Sequence, residues 1–268
     1  MSLPDFLLDP NVVLKDPNRT GRYHLTISSL DLNETESQWR YKTAPDYTAT
    51  NANFETGKST SWAPSSLEFL VQNLVKNWEK EASFKIDPKE WRTISQEKYA
   101  FHLNGGPALG AKDMLRLGTY NASIGEHGIK DVYETKAMDF GTSHKLFKGV
   151  MRTFSWEVLE VLGAPPKVSI KWRHWGTMTG NYRAKLSSGR TITAKANHKL
   201  IEVFGVTMAE VNDKFEITKL ETFWEPDSMF RQLITEGLQI LEEGERVESV
   251  VPVNEAGQTQ GGGCPVAH

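Results

Sequence analysis

The residues of this chain best suited to chemistry lie between Val168 and Asp227. The run VSIKWRHWGTMTG (168–180) alternates with period two, which marks a strand with two unlike faces. Val168, Ile170, Trp172 and His174 share one face, while Ser169, Lys171, Arg173 and Trp175 share the other. Aliphatics, an indole and one imidazole in a row suit the wall of a small-molecule pocket, which needs apolar area and a few fixed polar atoms. His174 then either moves a proton inside an apolar cup or is a satisfied structural histidine. Arg173, on the other face, is expected to pair with a carboxylate outside the cup.

Other candidates are weaker as isolated signals. His144, at the head of Gly-Thr-Ser-His, faces a pocket mouth or caps a segment; His102 sits between Phe101 and Leu103 as a structural residue, and His198 is solvated. Trp78, Trp172, Trp224 and Tyr120 are the aromatics expected around a pocket, and as a set they fit a flat polyketide, terpenoid or tropolone-like ligand. The alternative for each is ordinary core. Glu79, beside Trp78, is expected to face solvent. Asp227 lies between Pro226 and Ser228, a good setting for a helix cap. Spacings for a metal site (H-x-E-x-H, H-x₃-H, clustered cysteine) are absent, as is a G-x-S-x-G elbow. Asn104-Gly105-Gly106-Pro107 puts proline where a phosphate cradle needs an N–H. No metal or other cofactor is expected.

The elements that must hold these residues follow from periodicity and punctuation. Residues 1–65 are rich in Asp, Asn, Thr, Ser and Pro with scattered aromatics, and read as an irregular arm packed on a domain. After Pro64, Ser65 or Ser66 caps a helix whose Leu67, Leu70, Val71, Leu74, Val75 and Trp78 recur at helical spacing as far as Phe84–Asp87. Tyr99–Leu103 reads as a short strand, and Ala111–Tyr120 as a helix. Ser143–Leu162 reads as a longer helix whose β-branched second half suits a strand instead. Strands are expected at 167–178, 199–212 and 215–225, with a tight turn at Asn212-Asp213, a short edge strand in 191–196, and a helix over Met229–Leu241. Helices first and consecutive antiparallel strands after them indicate an α+β fold. The divisions are an arm at 1–65, a domain at 66–242, and a charged then Gly-rich flexible tail at 243–268.

Composition excludes several classes. The chain has 268 residues, 38% hydrophobic and 24% charged, with a net charge of −3 of mixed sign. It is long enough for a real core, and shows neither a basic field for nucleic acid nor a polybasic membrane patch. A single cysteine, Cys264, rules out an internal disulfide. No run approaches the ~18 apolar residues of a membrane span, and Met1–Pro10 has no signal-peptide pattern. A cytoplasmic location is the expectation, which makes the sequons at Asn18, Asn33 and Asn121 incidental.

GAPPKVSIKWRHWGTMTGNY (163–182) and IEVFGVTMAEVNDKFEITKLETFWEPD (201–227) resemble the second half of a SnoaL-like polyketide cyclase, within the nuclear transport factor 2-like superfamily. The likeness rests on a tryptophan-bearing strand with the turn Gly176–Gly180 and on a final strand closing in Phe223-Trp224-Glu225-Pro226-Asp227. Within that fold the chain is similar to plant-type pathogen-related proteins, through QWRYKTAPDY (38–47), LVKNWEKEASFK (74–85), FHLNG (101–105), TSH (142–144), KWRHWG (171–176), FGVTMAEV (204–211) and CPV (264–266). The resemblance implies a cone-shaped, curved antiparallel sheet wrapped around a long helix, frequently dimeric through the sheet. It implies chemistry without metal or redox cofactor, and it places Asp227 at the acid/base carboxylate of the cyclases. His174 and Asp227 would then carry proton transfer in cyclisation, dehydration or isomerisation of an apolar, oxygenated substrate, pericyclic closure included. A non-catalytic ligand-binding stress protein is the rival, and a scaffold role the third.

Overall fold

The computed structural model describes residues 2–17, 19–20, 35–126 and 128–241. Tyr23, Asn18, Asn33 and the tail at 243–268, Cys264 with it, lie outside the described residues. The helices are α1 Thr48–Gly57, α2 Leu67–Phe84, α3 Ala111–Leu117, α4 Thr119–Ile124, α5 Phe140–Val150 and α6 Pro226–Leu233. The strands that build the two larger sheets are β1 Ala100–Leu103, β2 Ser155–Ala164, β3 Lys167–Thr177, β4 Tyr182–Lys185, β5 Thr191–Ala194, β6 Leu200–Val211, β7 Ile217–Trp224 and β8 Gln239–Leu241.

Helix α2 is the axis. The Ser66 hydroxyl accepts from the Phe69 amide at 3.2 Å, closing its first turn. Val71, Leu74 and Trp78 are buried on the side that meets the sheet. A second side is also buried, and by polar chemistry. Asn73 donates to the Leu7 carbonyl at 2.9 Å, and Asn77 to those of Phe6 (2.9 Å) and Asp9 (2.8 Å). The backbone of the first residues is therefore satisfied by side chains of α2, so it can be buried without ladder partners.

The principal sheet runs β1-β7-β6-β3-β2. Its neighbours are antiparallel as expected, apart from β1, which joins the edge parallel to β7. Bulges at Val158/Glu160 and Glu210/Val211 bend it around α2. The curved sheet wrapped on one long helix is the α+β architecture expected. A second, antiparallel sheet runs β8-β5-β4. Across three strands, Trp172, Gly205 and Trp224 stand in register. A Cβ at Gly205 would lie 2.2 Å from the Trp172 ring, so only glycine lets that indole lie over β6.

Two expectations need correction, and one stated alternative holds. Residues 1–65 are not irregular throughout, since they hold the ten-residue α1. In 143–162 the strand alternative for the second half holds: α5 ends at Val150, and VLEVL belongs to β2, whose Val158 is fully buried. Helix α6 starts early, at Pro226, and stops at Leu233; Gly237, at φ +86°, turns the chain into β8. Asn121 is 1% exposed and its amide donates to the Leu117 and Met138 carbonyls, which leaves its sequon with a structural role.

Candidate functional site

Strand parity and the inward side of α2 enclose a cavity of about 200 Å³. Ile170, Trp172 and His174 of β3, Leu220, Thr222 and Trp224 of β7, and Val203 and Thr207 of β6 form the sheet wall. Helix α2 adds Val75, Lys76, Trp78, Glu79 and Lys80; Tyr120 and Lys148 come from α4 and α5. Tyr47, just before α1, and Asn51 and Phe54 within it close one side.

The indole N–H groups of three of the lining tryptophans are engaged by protein. Trp172 donates to Thr207 Oγ1 (2.9 Å), Trp224 to the Ser123 carbonyl (2.8 Å) and Trp78 to the Tyr99 hydroxyl (3.1 Å). These three rings therefore offer a guest their apolar faces alone, which suits a flat, delocalised molecule.

Polar groups are few and held in place. His174 Nε2 donates to the Phe154 carbonyl at 3.1 Å, since a carbonyl can only accept, and Nδ1 is then the lone-pair nitrogen. Its ring stacks on Phe154 with centroids 3.6 Å apart. Burial pushes its pKa down to about 4, so the imidazole is neutral at pH 7. Opposite in character is Glu79, the one carboxylate in this lining among the described residues. It accepts from Tyr47 Oη (2.6 Å) and Ser83 Oγ (3.1 Å). Burial alone would raise its pKa, but Lys148, Lys80 and those hydroxyls outweigh burial and hold it below the usual carboxylate range. Two hydrogen bonds leave acceptor sites on the carboxylate for a guest. The Tyr120 phenol is raised by burial first and then by the Glu79 charge, so it stays a donor.

Of the residues expected at the site, Trp78, Tyr120, Trp172, His174 and Trp224 are brought together. Asp227 is not. Pro226 opens α6 and turns the chain off β7, and Asp227 pairs with Arg231 one turn on, with its side chain 43% exposed. His144 also stays out of the lining. It is 6% exposed, packed on Phe140, Phe84 and Tyr120. Glu79 overturns the expectation of a solvent-facing residue, because the chain before α1 covers it through Tyr47. Lys76, Lys148, Tyr47 and Phe54 were not anticipated. The spacing of Tyr47, Asn51 and Phe54 (i, i+4, i+7) is a helical signal that points to a common face. Arg173 pairs outside the cup as expected, with Glu157 and Glu202. Among the described residues no group of three His, Cys, Asp or Glu side chains could hold a metal ion, and no helix is long and apolar enough to cross a membrane.

No family model matches the chain. A pathogen-related protein of Hordeum vulgare is 30% identical over 209 residues, which span 75% of this chain and 84% of that protein. Among solved structures, one described as a SnoaL-like polyketide cyclase from a Jannaschia species is 12% identical, with a TM-score of 0.36 over 65% of this chain and 97% of its own. A Catenulispora acidiphila protein with a ketosteroid isomerase-like fold is 10% identical, with a TM-score of 0.33 over 59% and 90%.

Proposed function

We propose, from the premise that this chain belongs to the family of the Hordeum vulgare pathogen-related protein, that it is a small-molecule enzyme acting by proton transfer. The substrate class is an aromatic, oxygenated carbonyl compound of polyketide or terpenoid type, and the outcome isomerisation, dehydration or ring closure. The observation that carries this reading is Glu79, an ionised carboxylate in a cavity walled by four tryptophans, Trp78, Trp156, Trp172 and Trp224. Such a group can take a proton from carbon next to a carbonyl, and water exclusion strengthens every charge interaction around it. Tyr120 is suited to donate to the developing oxyanion, and the Nδ1 lone pair of His174 to hold a substrate hydroxyl. Cyclisation needs in addition only that the aromatic walls hold one folded conformer.

A second reading is ligand storage without turnover. It is favoured by the pKa values of His174 and Glu79, both held well away from neutrality, where proton exchange is least efficient. The α-proton exchange of 2-tetralone in D₂O separates the two, with binding followed by quenching of tryptophan fluorescence. Glu79→Gln is expected to keep the affinity and lower protein-catalysed exchange by roughly 10²–10⁴-fold. If tetralone binds while wild type and Glu79→Gln exchange it at the buffer rate, storage is the function.

We also propose that a second copy covers the outer face of the sheet. Phe204, Val206 and Met208 of β6 and Phe223 of β7 are 52%, 41%, 43% and 38% exposed there. Flanking Lys171, Lys219 and Glu221 carry both signs, which suits a self-complementary two-fold contact. Light scattering should show a dimer that Val206→Glu converts to monomer, and a monomeric wild type at tens of micromolar would end this proposal.

A further inference from the structure

The polar end of the cavity holds three lysines against one carboxylate, and the charges do not cancel evenly. Lys80 donates to the carbonyls of Pro10 (2.9 Å) and Lys76 (3.1 Å). Lys148 donates to no protein acceptor among the described residues, but the carboxylate of the lining, Glu79, answers it, and Lys148 is the main charge that lowers that carboxyl. Lys76 has no uncommitted carboxylate to answer it. It donates to no protein acceptor among the described residues, and its ammonium lies over the Phe54 ring, 2.9 Å from the centroid. The carboxylates whose charge reaches it are committed elsewhere. Glu55 pairs with Lys58 at 2.6 Å, and Glu157 with Arg173 at 2.9 Å while also accepting from Ser59. A mostly buried cation without an anion is costly unless a ligand supplies one.

We propose that the ligand is an aromatic carboxylic acid whose carboxylate pairs with Lys76 while its rings lie against Trp78, Trp172 and Trp224. This rests on the reading of the cavity as a small-molecule site and adds the acidic group that the ligand must carry. The electrostatics agree. Burial pushes the Lys76 pKa down to about 7, with Lys80 and Lys58 lowering it further and Glu55 and Glu157 opposing them; Glu79 on the same helix and Tyr47, Tyr120, Lys148 and His174 from the other elements are the remaining titratable groups of the lining. A bound carboxylate favours the charged amine and raises that pKa, so binding takes up a proton above about pH 7. Affinity for the acid therefore falls as pH rises from 7 to 9, while a neutral isostere shows no such slope.

The test compares 2-naphthoate with 2-acetonaphthone, its uncharged analogue of similar shape, by calorimetry on the full chain. At pH 6.5 naphthoate is expected to bind about tenfold tighter or better, an advantage lost by pH 9. Lys76→Met should remove the advantage and leave acetonaphthone affinity unchanged. Lys76→Arg should keep the advantage and abolish its pH dependence, because guanidinium does not titrate there. If acetonaphthone binds as tightly as naphthoate, or if Lys76→Met leaves the preference intact, the acid is not read by Lys76 and the proposal falls while the cavity reading stands. If neither compound binds, both fall.

Discussion

Between about pH 7 and pH 4.5 the protein is expected to lose roughly 2–3 kcal/mol of stability for each of two sheltered imidazoles, His144 and His174. Both are pushed down to about 4, burial being the first cause. In the unfolded chain each protonates near the ordinary histidine value of about 6.5. A depressed folded pKa means that the unfolded state binds more protons between those two values. The contribution is thus whole above about pH 6.5 and drains away as pH falls towards 4. Glu79 and Glu157, held low, add to the loss at still lower pH, whereas Glu81, raised by burial, works against it. Substitution separates the histidines from the carboxyls. His144 Nδ1 is buried with no hydrogen-bond partner, and its ring sits among Phe140, Phe84 and Tyr120. His144→Phe should therefore be neutral or stabilising at pH 7, since it removes an unsatisfied buried polar atom. His174→Gln keeps a donor for the Phe154 carbonyl and loses the titration. Urea unfolding at pH 7 and 4.5 measures the effect. Equal acid losses in wild type and the double variant would show that the imidazoles are not the acid-labile elements.

What could be read from the sequence, and what could not, divides along one physical line. A strand with one buried face records that face in its own alternation, so the orientation of Trp172 and His174 on β3, and of Trp224 with Leu220 on β7, was legible. The Ser66 cap and the apolar stripe of α2 were legible for the same reason: the signal is local. Glu79 was not. It follows Trp78 by one residue, about 100° around the helix, and a helix covered on one side would show it to water. Its burial is decided by a distant segment, the approach to α1, whose Tyr47 hydroxyl reaches it at 2.6 Å. The polar second face of α2 shows how such cover can be disguised, because Asn73 and Asn77 look like surface residues until they are seen bonding the carbonyls of Phe6, Leu7 and Asp9. Asp227 failed for the opposite reason. Its assignment came from a position matched in a family, and one proline starting α6 early is enough to swing that carboxylate out of the cup towards Arg231.

Glu81→Ala is expected to cost about 3–5 kcal/mol, because it takes one of two carboxylates from a buried cation and leaves two backbone donors unpaired at once. Glu81 is fully buried and directly follows Lys80, the last residue of α2 that lines the cavity. Its carboxylate accepts from the amides of Arg92 (3.0 Å) and Thr93 (3.1 Å), from Thr93 Oγ1 (2.6 Å) and from Lys85 Nζ (3.1 Å). Lys85, 1% exposed, also donates to Asp16 at 2.7 Å and to the Glu90 carbonyl at 2.8 Å. The consequence reaches the site through geometry. The Thr93 carbonyl accepts from the Ile217 amide at 2.8 Å, and Ile217 begins β7, which carries Thr222 and Trp224 into the cavity. Glu81 thus ties the helix bearing Lys76, Trp78 and Glu79 to the strand facing them, and loosening it should blunt ligand affinity as well as stability. Glu81→Gln, which keeps one acceptor oxygen, should fall between wild type and alanine. The paired change Glu81→Met with Lys85→Met should cost less than Glu81→Ala, since it removes the cation along with its partner and leaves Asp16 to Arg92, 3.0 Å away. Chemical denaturation of the three variants decides it. A loss below about 1 kcal/mol for Glu81→Ala would mean that water enters and satisfies those donors, and that the helix and β7 are not held through this carboxylate.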